Sequence, residues 1–340
     1  MPQCKLVPEE NYSQIMNTRI IPSLKSFHTG GTSERISGQP VRWDYYKCPD
    51  ARGSILISHG FIESGYKFIE MVYYFHQMGL NVCTVDHRGH GRSWRGVGDV
   101  SLTDADDFYD YILDLQKVTV DVLQKKGDGP YFIYGHSMGG AIEALLLKRF
   151  PGLFSAAIFN APMIRAQTGG LPLPVAGLIA KAAIRFGWGQ KPVFVHKLYD
   201  PEESFEESAA TSRARFDWYS DMRRRNPFYR NNAATYKWLR EAVRVCTDLT
   251  GKFGPRGINI PTVFYIAQRD SFVDSGAIRT FASKIPHARV VQIPASKHEI
   301  YRSGNAAMEV YLNSIEAFID ENTGTPADIS ENDTQRSDQT

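Results

Sequence analysis

At 340 residues the chain is longer than one average domain but suits a single α/β core carrying an insertion. With 42% hydrophobic and 22% charged residues it reads as an ordinary globular chain, and its net charge of +2 argues against a polyanion such as nucleic acid as partner. Four scattered cysteines, an N-terminal stretch without an apolar core and the lack of any window near ~18 apolar residues argue against a disulfide scaffold, a signal peptide and a transmembrane helix. Reduced thiols are expected at Cys4, Cys48, Cys83 and Cys246. The expected location is cytoplasmic, or peripheral on the inner face of the cytoplasmic membrane.

Residues 1–26 carry little periodicity and are expected as an N-terminal arm. Two β segments follow, near Phe27–Gly31 and Val41–Tyr46, joined by a turn around Gly38-Gln39-Pro40. The buried-strand run Gly53–Ser58 ends directly in His59-Gly60-Phe61-Ile62-Glu63-Ser64. A helix from about Tyr66 to Met78 is closed by Gly79, and the strand Asn81–Val85 ends in Asp86-His87-Arg88-Gly89-His90-Gly91-Arg92-Ser93. Phe108, Tyr111, Ile112, Leu115, Val118 and Val122 recur at helical spacing. Strands at Tyr131–Tyr134 and Ala156–Phe159 complete the first half. Strands alternating with helices predict a mostly parallel, doubly wound sheet.

Regular alternation then stops. Between Asn160 and the next clear strand at Thr262 lie 101 residues, far more than a crossover needs. The expected organisation is a core from 27–160 and 262–320, with 161–261 inserted as a mainly helical cap. Within the cap, an apolar stretch begins at Leu171 and an arginine-rich stretch runs from Arg213 to Arg230 with a local net charge of +4. Tyr236–Val243 reads as a closing helix. After the insertion come a strand at Thr262–Ala267, a helix at about Ser275–Lys284, a strand at Arg289–Ile293 and a helix at about Asn305–Asp320. Residues 321–340 are polar and expected to be disordered.

Between the strand Tyr131–Tyr134 and the helix-forming run Gly140–Leu147 stands Gly135-His136-Ser137-Met138-Gly139. In that setting a Gly-x-Ser-x-Gly pentapeptide is expected as a tight turn holding a strained nucleophilic serine. A serine hydroxyl needs a histidine to take its proton, and the imidazolium needs a carboxylate to orient it. Asp270 and His298 each follow a later strand, at the edge where an open parallel sheet places its ligands. Asp274 rivals Asp270 but directly precedes a helix that it could cap. His287 stands before its strand, at the opposite end of the sheet. Two N–H donors for an oxyanion are expected at Met138 and Phe61, with His59 bracing the latter's loop. His87 and His90, in a Gly-rich turn, are expected as structural. No His-Glu-x-x-His or Cys-x-x-Cys pattern occurs, so neither a metal nor another cofactor is expected.

The motifs His59-Gly60-x-x-Glu63-Ser64, Asp86-His87-Arg88-Gly89-His90-Gly91-Arg92-Ser93 and Gly135-His136-Ser137-Met138-Gly139-Gly140 together resemble the monoacylglycerol lipase and lysophospholipase branch of the α/β-hydrolases. The arginine-rich stretch with Pro227-Phe228-Tyr229, the segment Thr235–Glu241, and Ser296-Lys297-His298-Glu299-Ile300 are most similar to bacterial inner-membrane-associated lysophospholipases. The likeness covers about residues 25–320 and leaves the polar tail unexplained. It implies Ser137 as nucleophile, Asp270 as acid, His298 as base, and Phe61 and Met138 as oxyanion donors.

The implied reaction is release of a fatty acid from a lysophospholipid through an acyl-serine, with transfer to a lipid hydroxyl as a side activity. An apolar stretch beside arginines suits an acyl chain with a phosphate head, which makes Arg223, Arg224, Arg225 and Tyr229 the candidate substrate contacts. The same arginines would also suit contact with an anionic membrane. The rival readings are a monoacylglycerol lipase or general carboxylesterase, a proline-iminopeptidase-like enzyme using Glu202, Glu203, Glu206 or Glu207 for a substrate amine, and a non-catalytic scaffold.

Overall fold

The computed structural model describes residues 4–168 and 170–324. Its strands are β1 (His28–Glu34), β2 (Pro40–Tyr46), β3 (Ser54–Ser58), β4 (Asn81–Val85), β5 (Leu102–Thr103), β6 (Tyr131–His136), β7 (Ala156–Asn160), β8 (Ala233–Ala234), β9 (Thr262–Ala267) and β10 (Ala288–Ile293). Eight of them form one sheet in the order β1-β2-β4-β3-β6-β7-β9-β10. β2 pairs antiparallel with β1 and β4, and every other neighbouring pair in this sheet is parallel. Strands β3, β4, β7 and β9 are buried along their whole length, as expected where helices cover both faces of a parallel sheet.

The helices of the core are α3 (Ile69–Gln77), α4 (Tyr109–Val118), α5 (Gln124–Lys126), α6 (Met138–Arg149), α10 (Ser275–Ala282) and α11 (Asn305–Thr323). Gly79 takes φ +77° beyond α3, where a side chain would be strained. The last helix runs past Asp320 to Thr323, so the first residues of the expected polar tail are helical. The rest of that tail, from 325 on, lies outside the described residues.

The N-terminal arm differs from expectation. It is helical, as α1 (Tyr12–Ile15), a π-helical turn (Met16–Ile20) and α2 (Ile21–Lys25). Tyr12, Met16, Ile20 and Leu24 recur every fourth residue and are all buried in the core. On a regular α-helix a four-residue repeat drifts about 40° per step. The wider π turn counters that drift and keeps the four side chains facing the core. The signal was present in the sequence, at an unfamiliar period.

The inserted segment carries α7 (Leu173–Arg185), α8 (Arg213–Arg225) and α9 (Tyr236–Thr250), the last extending seven residues beyond the expected stretch. α7 packs along α9. The parallel pair β5–β8 stitches the segment to the core, aligning Leu102 with Ala233 and Thr103 with Ala234. Arg215 on α8 is fully buried and grips Glu70 of α3 at 2.7 and 2.9 Å, while Tyr12 of α1 donates to the same carboxylate at 2.6 Å. Arm, core and insertion thus meet on one carboxylate.

Candidate active site

One residue separates β6 from α6, and it is Ser137. Its backbone stands at φ 52°, ψ −116°, which non-glycine residues rarely adopt. Neighbouring chain enforces that conformation. Ser137 N–H donates to Asn160 O at 3.1 Å, and Ser137 O accepts from Met163 N–H at 2.8 Å. Gly139 lies so close to the Ser58 carbonyl that a Cβ would collide with it.

The loops after β9 and β10 bring two partners to this hydroxyl. His298 Nε2 lies 2.9 Å from Ser137 Oγ, and His298 Nδ1 lies 2.8 Å from Asp270 Oδ2. The other Asp270 oxygen accepts the N–H groups of Phe272 and Val273 at 2.8 and 3.1 Å. Burial by itself would raise the Asp270 carboxyl, but the His298 ring and those two N–H groups hold it below the usual carboxylate range. Asp274 is turned elsewhere: its side chain caps α10, accepting from Gly276 and Ala277 N–H.

The loop after β3 packs against the elbow, where a Cβ on Gly60 would stand 3.1 Å from Ser137 Cβ. His59 braces it. Its Nδ1–H donates to Gly60 O at 2.7 Å and its Nε2 accepts the His87 N–H at 2.9 Å, the pattern of a neutral ring. Burial lowers the His59, His87 and His90 pKa values, disfavouring the charged form of each ring. Among the hydrogen bonds of the described residues, neither Phe61 N–H nor Met138 N–H has an acceptor.

Along one wall of the site runs a largely buried ionic cluster of Glu63, Lys67, Glu299 and Arg302, to which the sequence analysis assigned no role. Lys67 Nζ stands 2.9 Å from Glu63 Oε1 and 2.6 Å from Glu299 Oε1. Glu63 Oε2 accepts Gly60 N–H at 2.7 Å, and Glu299 Oε2 is 2.5 Å from Arg302 Nη1. Burial would raise the Glu63 carboxyl, but Lys67 and then His136 pull it down to about 2. The spacing of Glu63 and Lys67, four apart, was legible. Their meeting with Glu299, 232 residues from Lys67, was not.

Ser137 and His298 open into a cavity of about 220 Å³. Its lining mixes aromatic side chains, such as Phe61, Phe216 and Phe272, with charged ones, which include Glu203 and Arg223 as well as Lys67, Glu299 and Arg302. Of the four candidate substrate contacts, only Arg223 reaches its wall. Successive helical residues point about 100° apart, so Arg224 and Arg225 turn outward, with side chains 47% and 73% exposed. Tyr229 is buried and stacks on Tyr66 at 5.4 Å. Arg223 itself is occupied, by Glu203 and by the carbonyls of Tyr229 and Asn231.

The fold and the site place the chain among the α/β serine hydrolases. Within that class it belongs to the Hydrolase_4 family, described as serine aminopeptidase, S33, which matches residues 49–303. Lysophospholipase L2 of Escherichia coli strain K12 is 27% identical over 306 residues, 82% of this chain and 84% of that protein. A probable lysophospholipase L2 of Haemophilus influenzae is 22% identical over 92% of this chain and 99% of its own. The monoacylglycerol lipase of Mycolicibacterium smegmatis is 34% identical, over 37% of this chain and 44% of its own. Among solved structures, a soluble variant of Saccharomyces cerevisiae monoglyceride lipase superposes with a TM-score of 0.67 at 18% identity, covering 86% of this chain and 97% of that one. A carboxyl esterase from Bacillus coagulans gives 0.70 at 17% identity, covering 87% and 99%.

Proposed function

We propose that the protein hydrolyses the acyl ester of lysophospholipids through an acyl-Ser137 intermediate. The observation that carries this reading is the unbroken contact Ser137–His298–Asp270 on a cavity lined by both aromatic and charged side chains. His298 Nε2 takes the hydroxyl proton as Ser137 Oγ attacks the ester carbonyl, and Asp270 holds the Nδ1–H tautomer and stabilises the imidazolium. The oxyanion collects on the Phe61 and Met138 N–H groups. Collapse expels the glycerol oxygen, which takes its proton from His298. Water then repeats the sequence on the acyl-serine, and a lipid alcohol in its place gives transacylation.

Two relatives matched over most of their length carry lysophospholipase names, which favours that head group. The monoacylglycerol lipase match spans less than half of its protein and supports the shared chemistry alone. We read 27–160 and 262–320 as the catalytic core and 161–261 as the cap. In the cap, Arg223 is the head-group candidate, its fork passing from Glu203 to a substrate phosphate. The apolar side chains exposed at Leu178, Phe186, Trp188, Phe194 and Val195, interspersed with Lys181, Arg185 and Lys191, favour peripheral contact with an anionic membrane through the cap. Among the described residues no helix is long and apolar enough to cross one.

The test compares fatty-acid release from lysophosphatidylethanolamine and from monoacylglycerol of the same chain, with alanine p-nitroanilide as an aminopeptidase control. Faster turnover of the phospholipid, reduced selectively in Arg223→Ala and unchanged in Arg224→Ala, is expected. Preference for monoacylglycerol or the anilide would overturn the substrate assignment.

A further inference from the structure

Lys67 is remote in sequence from both Ser137 and His298, yet its ammonium is the point where their supporting loops meet. It lies on the short 3-10 turn Gly65–Phe68, with a side chain 6% exposed that borders the same cavity as Ser137 while its ammonium is taken up by two carboxylates. On one side it holds Glu63, whose second oxygen fixes the Gly60 N–H at 2.7 Å, one residue before Phe61. On the other it holds Glu299, the residue after His298, at 2.6 Å. The remaining lone pairs are also engaged: Tyr301 O–H donates to Glu63 at 2.5 Å and Arg302 pairs with Glu299 at 2.5 Å. Glu299 N–H and Lys297 Nζ extend the link into the insertion, donating to Ala209 O at 3.0 Å and Ser208 O at 3.0 Å.

Two buried carboxylates on one cation define a separation between the loops that carry them. Without that cation they repel in a low-dielectric setting, and either the loops part or one carboxylate takes up a proton. Either way the ionic link that sets the spacing of Gly60 and His298 about Ser137 is lost, and misplacement by about 1 Å costs on the order of 10²-fold in rate. We infer that Lys67 is a positioning residue: through Glu63–Lys67–Glu299 it holds the oxyanion loop and the His298 loop at the spacing that the transition state requires. The inference rests on the roles proposed for Ser137, His298, Phe61 and Met138.

The test uses the full-length protein with a soluble short-chain p-nitrophenyl ester. Three quantities are read in wild type, Lys67→Met and Lys67→Arg: kcat/KM, the inhibition constant of a trifluoromethyl ketone that forms a tetrahedral adduct, and that of an ether analogue lacking the carbonyl. In Lys67→Met, kcat/KM is expected to fall about 10²-fold and the ketone to weaken by the same factor, with ether binding unchanged. Lys67→Arg should recover part of both losses. Ketone binding and kcat/KM within threefold of wild type, or ether binding weakened as much as the ketone, would overturn the inference. Should Lys67→Met fail to fold, Glu299→Gln carries the same test, with an expected parallel loss of about tenfold. Full activity in Ser137→Ala would sink the site assignment itself, whereas an inactive Ser137→Ala beside an unaffected Lys67→Met would sink this inference alone.

Discussion

Asp270 and Asp274 stand four residues apart after the same strand, and their surroundings give them different tasks. Asp270 is buried against His298 with its second oxygen on two N–H groups, whereas Asp274 spends its carboxylate on the first turn of α10. Asp270→Asn should therefore lower kcat by about 10⁴-fold by favouring the wrong imidazole tautomer. Asp274→Asn should leave kcat within a small factor and, since asparagine also caps helices, cost under about 1 kcal/mol of stability. Steady-state kinetics and denaturant melts of the two variants check this. The positions of Ser137, Asp270 and His298 were legible because each closely follows a strand of a parallel sheet. The Lys67 bridge was not, because no local pattern shows that residues 63 and 299 face the same ammonium.

At the scale of elements, the arm is where local reading fell short. Its four buried residues repeat every fourth position, with no buried residue at the i+3 positions that a regular amphipathic stripe would also fill, and a π turn in the middle holds them in line. Met16 is fully enclosed in the core. Met16→Ala should cost about 2–5 kcal/mol, seen as a lowered denaturant midpoint with an unchanged kcat/KM. Helix α8 shows the converse problem. Its arginines look alike in sequence, yet Arg215 is buried on Glu70, Arg223 lines the cavity, and Arg224 and Arg225 face solvent. The exposed apolar residues around α7 are the cap's proposed membrane surface. Replacing Leu178 and Phe186 together by Glu should reduce co-sedimentation with anionic phosphatidylglycerol vesicles while leaving hydrolysis of a soluble ester unchanged.

For the whole molecule, the sheet and its helical crossovers followed from alternating apolar runs, since burial on both faces writes itself into continuous β-branched stretches. The ties that fix the insertion to that core did not follow. They are two-residue strands and single buried side chains, such as β5–β8 and Arg215, which leave no periodic trace. The buried cluster also sets a pH dependence of stability. Glu63 faces Lys67, His136, Glu299 and Tyr301, and its carboxyl sits at about 2 when folded, below the value of about 4.3 that it has unfolded. Its contribution is therefore complete above about pH 5 and is lost as the pH falls toward the folded value. Lys67→Met should be less stable than wild type by about 3–5 kcal/mol near neutral pH, and the gap should narrow on acidification. A gap that stays constant or widens in denaturant melts between about pH 6 and pH 3 would contradict this account.

The most direct measurement is fatty-acid release from lysophosphatidylethanolamine by wild type and by Ser137→Ala, both checked for an unchanged melting temperature. Release by the wild type that drops at least about 10³-fold in Ser137→Ala is the predicted result. Release by the variant within tenfold of wild type, or no release by a folded wild type, would contradict it.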